Sequence, residues 1–305
     1  MAGAECCQNP PELNAASGQG SVVEDLGGLK AYTAGSPDCP RAILLISDVF
    51  VSCCQCLAEA ATRLTALLLL LGRQPAAAAE ADVAAACSNG CWLWLCNPAA
   101  APCSCTASDA AGAIGYEAPN LRRLADKVAA AGFYVVVSDF FHGDPYVLDS
   151  NPPRPVAEWV QNHGTDKGFE DAKGVIEALK NKGISSIGAA GFCWGAKVVV
   201  QLAMSDYIKA AVMLHPSPIT VDEIKEVKCP ISILGAEVDR ASPPEVVKQF
   251  EEILSAKSEV SSFVKIFPGT THGWTVRYDV NDEPAVKKAE EAHNDMLEWF
   301  VKHVN

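Results

Sequence analysis

The chain has 305 residues, 49% of them hydrophobic, and carries 37 acidic against 24 basic side chains, for a formal charge of −13. That length and apolar content suffice for the core of one large α/β domain, with or without an appendage. The acidic balance and the lack of any Lys/Arg run argue against nucleic acid as a ligand, because phosphate contacts need a basic face.

The N-terminal residues MAGAECCQNPPELN have neither a basic n-region nor an apolar h-region, so a cytoplasmic address is expected. The strongest apolar run, Ala66 to Leu71, lies between Arg63 and Arg73 and is far shorter than the roughly 20 residues a bilayer requires. No membrane span is expected. Thirteen cysteines in a long, apparently cytosolic chain read as free thiols, and eight of them crowd between Cys53 and Cys105.

Residues before Val22 read as an N-terminal tail, and Val22 to Asn305 as one interrupted domain. Val22 to Thr33 suggests two short strands about a Gly27-Gly28 turn, and Arg41 to Asp48 a strand buried on both faces. A helix follows from Ala118, with Pro119 early and Gly132 at its end, then the strand Phe133 to Phe140. Asp144 to Pro155 is Pro-rich and irregular, and a helix is expected over Asp166 to Gly183. Strands at 185–192, 209–215, 229–237 and 262–269 then alternate with helices at 195–203, 222–227, 243–256 and 283–302. Such alternation predicts an α/β fold, a mainly parallel sheet covered by helices on both faces.

Between Val51 and Ile114 the rhythm is lost over 64 residues rich in Ala, Leu and Cys. That is much longer than an ordinary βα loop and reads as an insertion. Its cysteines do not form two paired C-x2-C arms and no histidine lies among them, so no metal site is expected.

Gly191-Phe192-Cys193-Trp194-Gly195 follows an expected strand and precedes an expected helix, the context of a nucleophile elbow. The glycines permit a tight turn that puts Cys193 at a helix N-terminus, where dipole and unpaired N–H groups favour a thiolate. The Trp194 N–H would then face the oxygen of a tetrahedral intermediate. A thiol nucleophile needs a base, and the base an orienting acid. Asp239 follows the strand CPISILG and His272 follows SFVKIF, so all three are expected at the carboxyl edge of the sheet. Glu237 is the next acid to consider. His215 ends a strand, where it lines a pocket or bonds locally, whereas His142, His163, His293 and His303 fall in expected turns or polar helix faces.

With GFCWGAK, the Asp239 loop and THGW in view, the chain resembles the dienelactone hydrolase family of the plant and animal carboxymethylenebutenolidase-like type. The resemblance covers about Val22 to Phe50 and Gly115 to His303. It implies an α/β-hydrolase fold, a Cys193, Asp239, His272 triad, and an acid, Asp48, that holds the resting thiol. Val49 would supply the second oxyanion N–H beside that of Trp194. Bacterial members of the family usually have Glu at the position of Asp48. The expected substrate is a small activated ester or lactone, cleaved without a cofactor. Arg277 is placed to meet a substrate carboxylate or to form a surface ion pair; Tyr116, Phe192, Trp194 and Trp274 are expected to provide apolar walls. Some plant relatives act on mixed-linkage β-glucans, and an inactive scaffold disrupted by the insertion is a further alternative.

Joining Phe50 directly to Gly115 restores an uninterrupted family sequence, ISDVFGYEAPNL. The intervening segment reads as a lid or partner-binding module, or as a poorly ordered retained intervening sequence; its lack of amphipathic organisation favours the second. Deleting 51–114 is therefore expected to give a protein at least as stable and active as the full chain. Limited proteolysis of the full chain should cut first within that segment. Protection of the segment, with a large loss of activity on deletion, would make it part of the working enzyme.

Overall fold

The computed structural model describes residues 20–49, 115–146 and 154–305. The expected insertion, most of the N-terminal tail and part of the Pro-rich stretch lie outside the described residues. Strands β1 (Ser21–Leu26), β2 (Leu29–Ala34) and β3 (Arg41–Ile46) come first, then a short 3-10 turn at Gly115–Glu117, helix α1 (Pro119–Ala130) and β4 (Tyr134–Ser138). Helices α2 (Val156–Asn162) and α3 (Thr165–Asn181) precede β5 (Ser186–Phe192), α4 (Trp194–Ala203) and β6 (Ala210–Leu214). The chain ends with α5 (Val221–Lys225), β7 (Ile231–Val238), α6 (Pro244–Ser255), β8 (Ser262–Thr271) and α7 (Glu283–His303).

The strands form one eight-stranded sheet in the order β1-β2-β4-β3-β5-β6-β7-β8. The pairings β1/β2 and β2/β4 are antiparallel; every pairing from β4 to β8 is parallel. One core cluster packs residues of α3, α4 and α6 on one face, and a second packs α1 and α7 on the other. This is the mainly parallel, helix-covered sheet expected from the alternation of elements, and the α/β-hydrolase arrangement that the family resemblance implies.

Central strand β5, SIGAAGF, is buried throughout and built of small residues. A Cβ at Gly188 would stand 2.9 Å from both Ile43 and Phe300, so the bare backbone lets α7 close onto the sheet. The Asp282 side chain caps α7 by accepting from Ala285 N at 3.2 Å.

Two features go beyond or against the expectations. Helix α2 arises directly after the irregular stretch that ends at Pro155, in residues for which no element was expected; its Trp159 is buried, packs on Phe141 at 5.0 Å and donates to the Asp144 carbonyl at 2.8 Å. Tertiary packing overrides the local proline signal. His293 and His163, expected on polar faces or in turns, are buried. His293 has Glu290, Glu291 and Asn294 as near neighbours in sequence, yet its Nε2 lies inward, 2.8 Å from the Thr275 carbonyl.

Burial holds the pKa of His293 down to about 4, against an ordinary value of 6.5. The folded state thus keeps it neutral while the unfolded chain takes a proton. Its contribution to stability is complete above pH 6.5 and is lost as pH falls toward 4, with a slope of about 1.4 kcal/mol per pH unit. Urea unfolding between pH 7 and 4.5 should show this slope, and His293→Gln, which keeps an N–H donor, should flatten it by about one proton. An equal slope in the variant would remove His293 as its source.

Candidate active site

Five adjacent parallel strands, β3, β5, β6, β7 and β8, end at one edge of the sheet. The residues just past those ends are Ser47-Asp48-Val49, Cys193, His215, Asp239 and His272. The carboxyl edge is where an open α/β sheet exposes such groups together.

Cys193 occupies the turn between β5 and α4 with φ 52° and ψ −110°, strained for a residue with a Cβ. The glycines around it are dictated by contact. A Cβ at Gly191 would lie 2.2 Å from the Gly195 carbonyl oxygen, and one at Gly195 would lie 2.1 Å from that of Ile46. The first turn of α4 is therefore pressed against both β5 and the end of β3, which brings Cys193 beside Asp48.

The Asp239 Oδ2 lies 2.7 Å from His272 Nδ1. Its other oxygen accepts from the backbone N–H groups of Ala241 (2.8 Å) and Ser242 (3.2 Å), so the carboxylate is fixed before it meets the ring. The Asp239 side chain is 1% exposed and that of His272 21%, leaving the imidazole reachable from solvent. Glu237, the alternative acid, is exposed and accepts from Gly269 N at 2.7 Å, away from this pair.

Asp48 and Arg277 form a buried pair, with Nε to Oδ2 at 2.8 Å and a second, shorter contact from Nη2 to Oδ1. Their side chains are 7% and 9% exposed, so this is no surface ion pair. A Cβ at Gly273 would stand 2.6 to 3.0 Å from the Arg277 side chain, which thus lies on bare backbone.

Burial pushes the Cys193 thiol well above its ordinary value, and the negative charge and hydrogen bond of Asp48 push it further. The Arg277 charge and the Trp194 backbone N–H act in the opposite sense but are outweighed. Desolvation and the neighbouring carboxylate thus oppose the thiolate that the helix-end N–H groups favour.

The remaining expected residues divide. Val49 is buried directly after Asp48 at the end of β3. Trp274 packs 5.4 Å from His215, and Tyr116 is buried on the α1 side with Arg122 over its ring at 5.3 Å. Phe192 and the Trp194 indole do not form open walls: Phe192 is wholly buried, and the indole packs on Phe141 and donates to the His163 carbonyl at 3.0 Å. Phe192 belongs to the core cluster on one face of the sheet and Trp194 to that on the other, so both rings enter the core.

His215 is more than a locally bonded residue. It is fully buried with φ 38°, its Nε2 lies 2.8 Å from Thr275 Oγ1, and its ring stands edge-on to His272 at 5.1 Å. Burial, then the His272 charge, holds its pKa well below 6.5, so it stays neutral. Its position past β6 on the same sheet edge was the signal available in the sequence. Among the described residues no cluster of His, Cys, Asp and Glu has the form of a metal site, and no helix is long and apolar enough to cross a membrane.

A model of the dienelactone hydrolase family matches residues 110–304, more than half of the chain. The chain belongs to the dienelactone hydrolase family. It is 34% identical over 195 residues to a carboxymethylenebutenolidase homolog of Xenopus tropicalis, covering 63% of this chain and 79% of that one. It is also 34% identical over 261 residues to an endo-1,3;1,4-beta-D-glucanase of Zea mays, covering 84% of this chain but only 63% of the relative. The match thus spans less than two thirds of the maize protein. A solved putative dienelactone hydrolase from Klebsiella pneumoniae superposes with a TM-score of 0.58 at 15% identity, over 95% of this chain and all 100% of that one. At that identity the likeness concerns the dienelactone hydrolase fold.

If Asp48 holds this family member's thiol neutral, Asp48→Asn removes the negative charge that raises it, and the Cys193 pKa falls. Iodoacetamide labelling of Cys193 at pH 8, mapped by mass spectrometry, should speed up about tenfold per unit of that fall. Cys229, whose pKa burial raises to about 12, serves as the internal reference. Unchanged or slower labelling of Cys193 would separate Asp48 from the thiol.

Proposed function

We propose that the protein hydrolyses small activated esters or lactones through a thioester on Cys193, with His272 as general base and acid and Asp239 as its orienting carboxylate. The observation that carries this reading is the 2.7 Å Asp239–His272 pair at the same sheet edge as a cysteine in a positive-φ elbow. In the resting state Asp48 keeps the thiol protonated and Arg277 keeps Asp48 in place. A substrate carboxylate that pairs with Arg277 competes for the guanidinium and loosens Asp48 from the thiol. The thiol proton then passes to His272, and the thiolate attacks the substrate carbonyl.

The backbone N–H groups of Trp194 and Val49 receive the oxyanion. Collapse of the intermediate expels the alcohol or enol oxygen, which takes the proton from His272. His272 next removes a proton from water as the hydroxide adds to the thioester; Cys193 leaves and recovers that proton. A thiolate suits a good leaving group, which favours enol esters and lactones over amides. No step calls on a cofactor.

The maize relative's name motivates a second reading, hydrolysis of mixed-linkage β-glucan. Against it, glycoside cleavage in its usual form needs two carboxyl groups flanking the sugar bond, one of them protonated. Asp48 and Asp239, past β3 and β7, are engaged with Arg277 and with His272, and Asp139, past β4, accepts from the Phe141 and Gly143 N–H groups.

Cys193→Ala is expected to lower hydrolysis of a 4-nitrophenyl ester by at least about a thousandfold while leaving thermal unfolding nearly unchanged. His272→Ala should cost at least as much as Asp239→Asn, since the acid acts only through the base. Full ester turnover by Cys193→Ala overturns the nucleophile. Release of reducing sugar from β-glucan by both wild type and Cys193→Ala would favour the glycan reading instead.

A further inference from the structure

The segment between β8 and α7 carries the proposed base at its start, His272, and the proposed anion-binding cation five residues on, Arg277. Separate side chains pin the two ends of this segment. Near the base, His272 N donates to the Val238 carbonyl at 3.2 Å, and Thr275 is held by His215 at its hydroxyl and by His293 at its carbonyl, each at 2.8 Å. Around Arg277, whose own N–H donates to the Gly273 carbonyl at 2.9 Å, the side-chain anchor of the backbone is a different residue from a different element. Asn120, in the first turn of α1, donates from Nδ2 to the carbonyl of Val276 at 3.2 Å and to that of Tyr278 at 2.9 Å.

These are the two residues that flank Arg277. The Asn120 amide has one consistent orientation, because its Oδ1 accepts from Arg123 Nη1 at 3.0 Å while both amide hydrogens are used on the loop. Asn120 touches neither Asp239, His272 nor Cys193 in any of its hydrogen bonds. Its effect on chemistry therefore runs through the backbone on either side of Arg277.

We propose that Asn120 is a positioning residue that sets the aim of Arg277 and thereby the preference for carboxylate-bearing over uncharged esters. The proposal rests on the reading that Arg277 receives a substrate carboxylate. Recognition of a carboxylate by a guanidinium is planar and directional, so a loop free to rotate by a few tens of degrees loses it. The Asp239–His272 pair keeps its own anchors, so loss of Asn120 falls on anion binding rather than on bond cleavage.

The test compares two 4-nitrophenyl esters, the hemisuccinate, with a free carboxylate, and the uncharged butanoate, on the full chain. Asn120→Ala is expected to lower kcat/KM for the hemisuccinate about tenfold, mainly by raising KM, and that for the butanoate by less than about threefold. Asn120→Asp, which keeps the size but turns a donor into a carboxylate facing two carbonyls, should cost the hemisuccinate at least as much. Thermal unfolding of each variant reports whether it is folded, and the near-isosteric Asp variant supplies the test if the Ala variant is not.

Arg277→Met separates the two ideas. It should abolish the hemisuccinate preference, and adding Asn120→Ala to it should leave the ratio of the two esters where Arg277→Met put it. A ratio that responds to Arg277→Met but not to either Asn120 variant overturns the role of Asn120 alone. A ratio indifferent to Arg277→Met overturns both that role and the reading of Arg277. Equal loss on both esters in the Asn120 variants reduces Asn120 to general support of the fold.

Discussion

The contact of Gly195 with the end of β3 is the constraint on which the site depends. Its Cα faces the Ile46 and Ser47 carbonyls so closely that a methyl group would stand 2.1 Å from one of them. Because α4 begins in that contact, the turn before it must be tight, and Cys193 accepts a φ that few side-chain-bearing residues adopt. The same contact sets how near the thiol lies to Asp48. Close packing of the kind found throughout protein interiors here fixes a chemical juxtaposition as well as a shape.

Electrostatically the edge is a balanced set of pairs. Asp239 is satisfied by two backbone N–H groups and His272, and Asp48 by Arg277. A buried ion pair adds little net stability but is costly to break from one side, which holds both partners in place until another charge competes. His215, kept neutral by burial, lets His272 sit against a ring without repulsion between two cations.

Much of this is legible in the sequence for one physical reason. Strands buried on both faces read as short apolar runs, and the residues just past each run fall on one edge of a parallel sheet. Cys193, Asp239 and His272 can thus be brought together without knowing the strand order. Arg277 is legible as a charge, but whether it lies buried depends on Gly273 beneath it and Asp48 across from it, separated by 229 positions in the chain. The upward push of burial on the Cys193 thiol is hidden because helix-end polarity is visible in a local motif and desolvation is not. His293 conceals its inward direction among acidic neighbours, and Asn120 gives no signal beyond a place in a first helical turn. Prolines dominate the local text before α2, while its anchor, Trp159 on Phe141, is tertiary.

Gly115, before the first turn that leads into α1, lies beside the end of β3. A side chain at Gly115 would stand 3.0 Å from Phe141 and 3.9 Å from the Ser47 hydroxyl. The ends of the stretch between β3 and Gly115 are therefore held together by the sheet itself. Closing a longer loop between fixed neighbouring ends costs only about 0.6 kcal/mol for each doubling of its length. The register of β3 with β4 is set by their own pairing, so the length of chain between such ends is a weak lever on it. This also makes the rim of the site a natural place to graft a recognition module or a reporter, whose state would be felt within a few residues of Asp48.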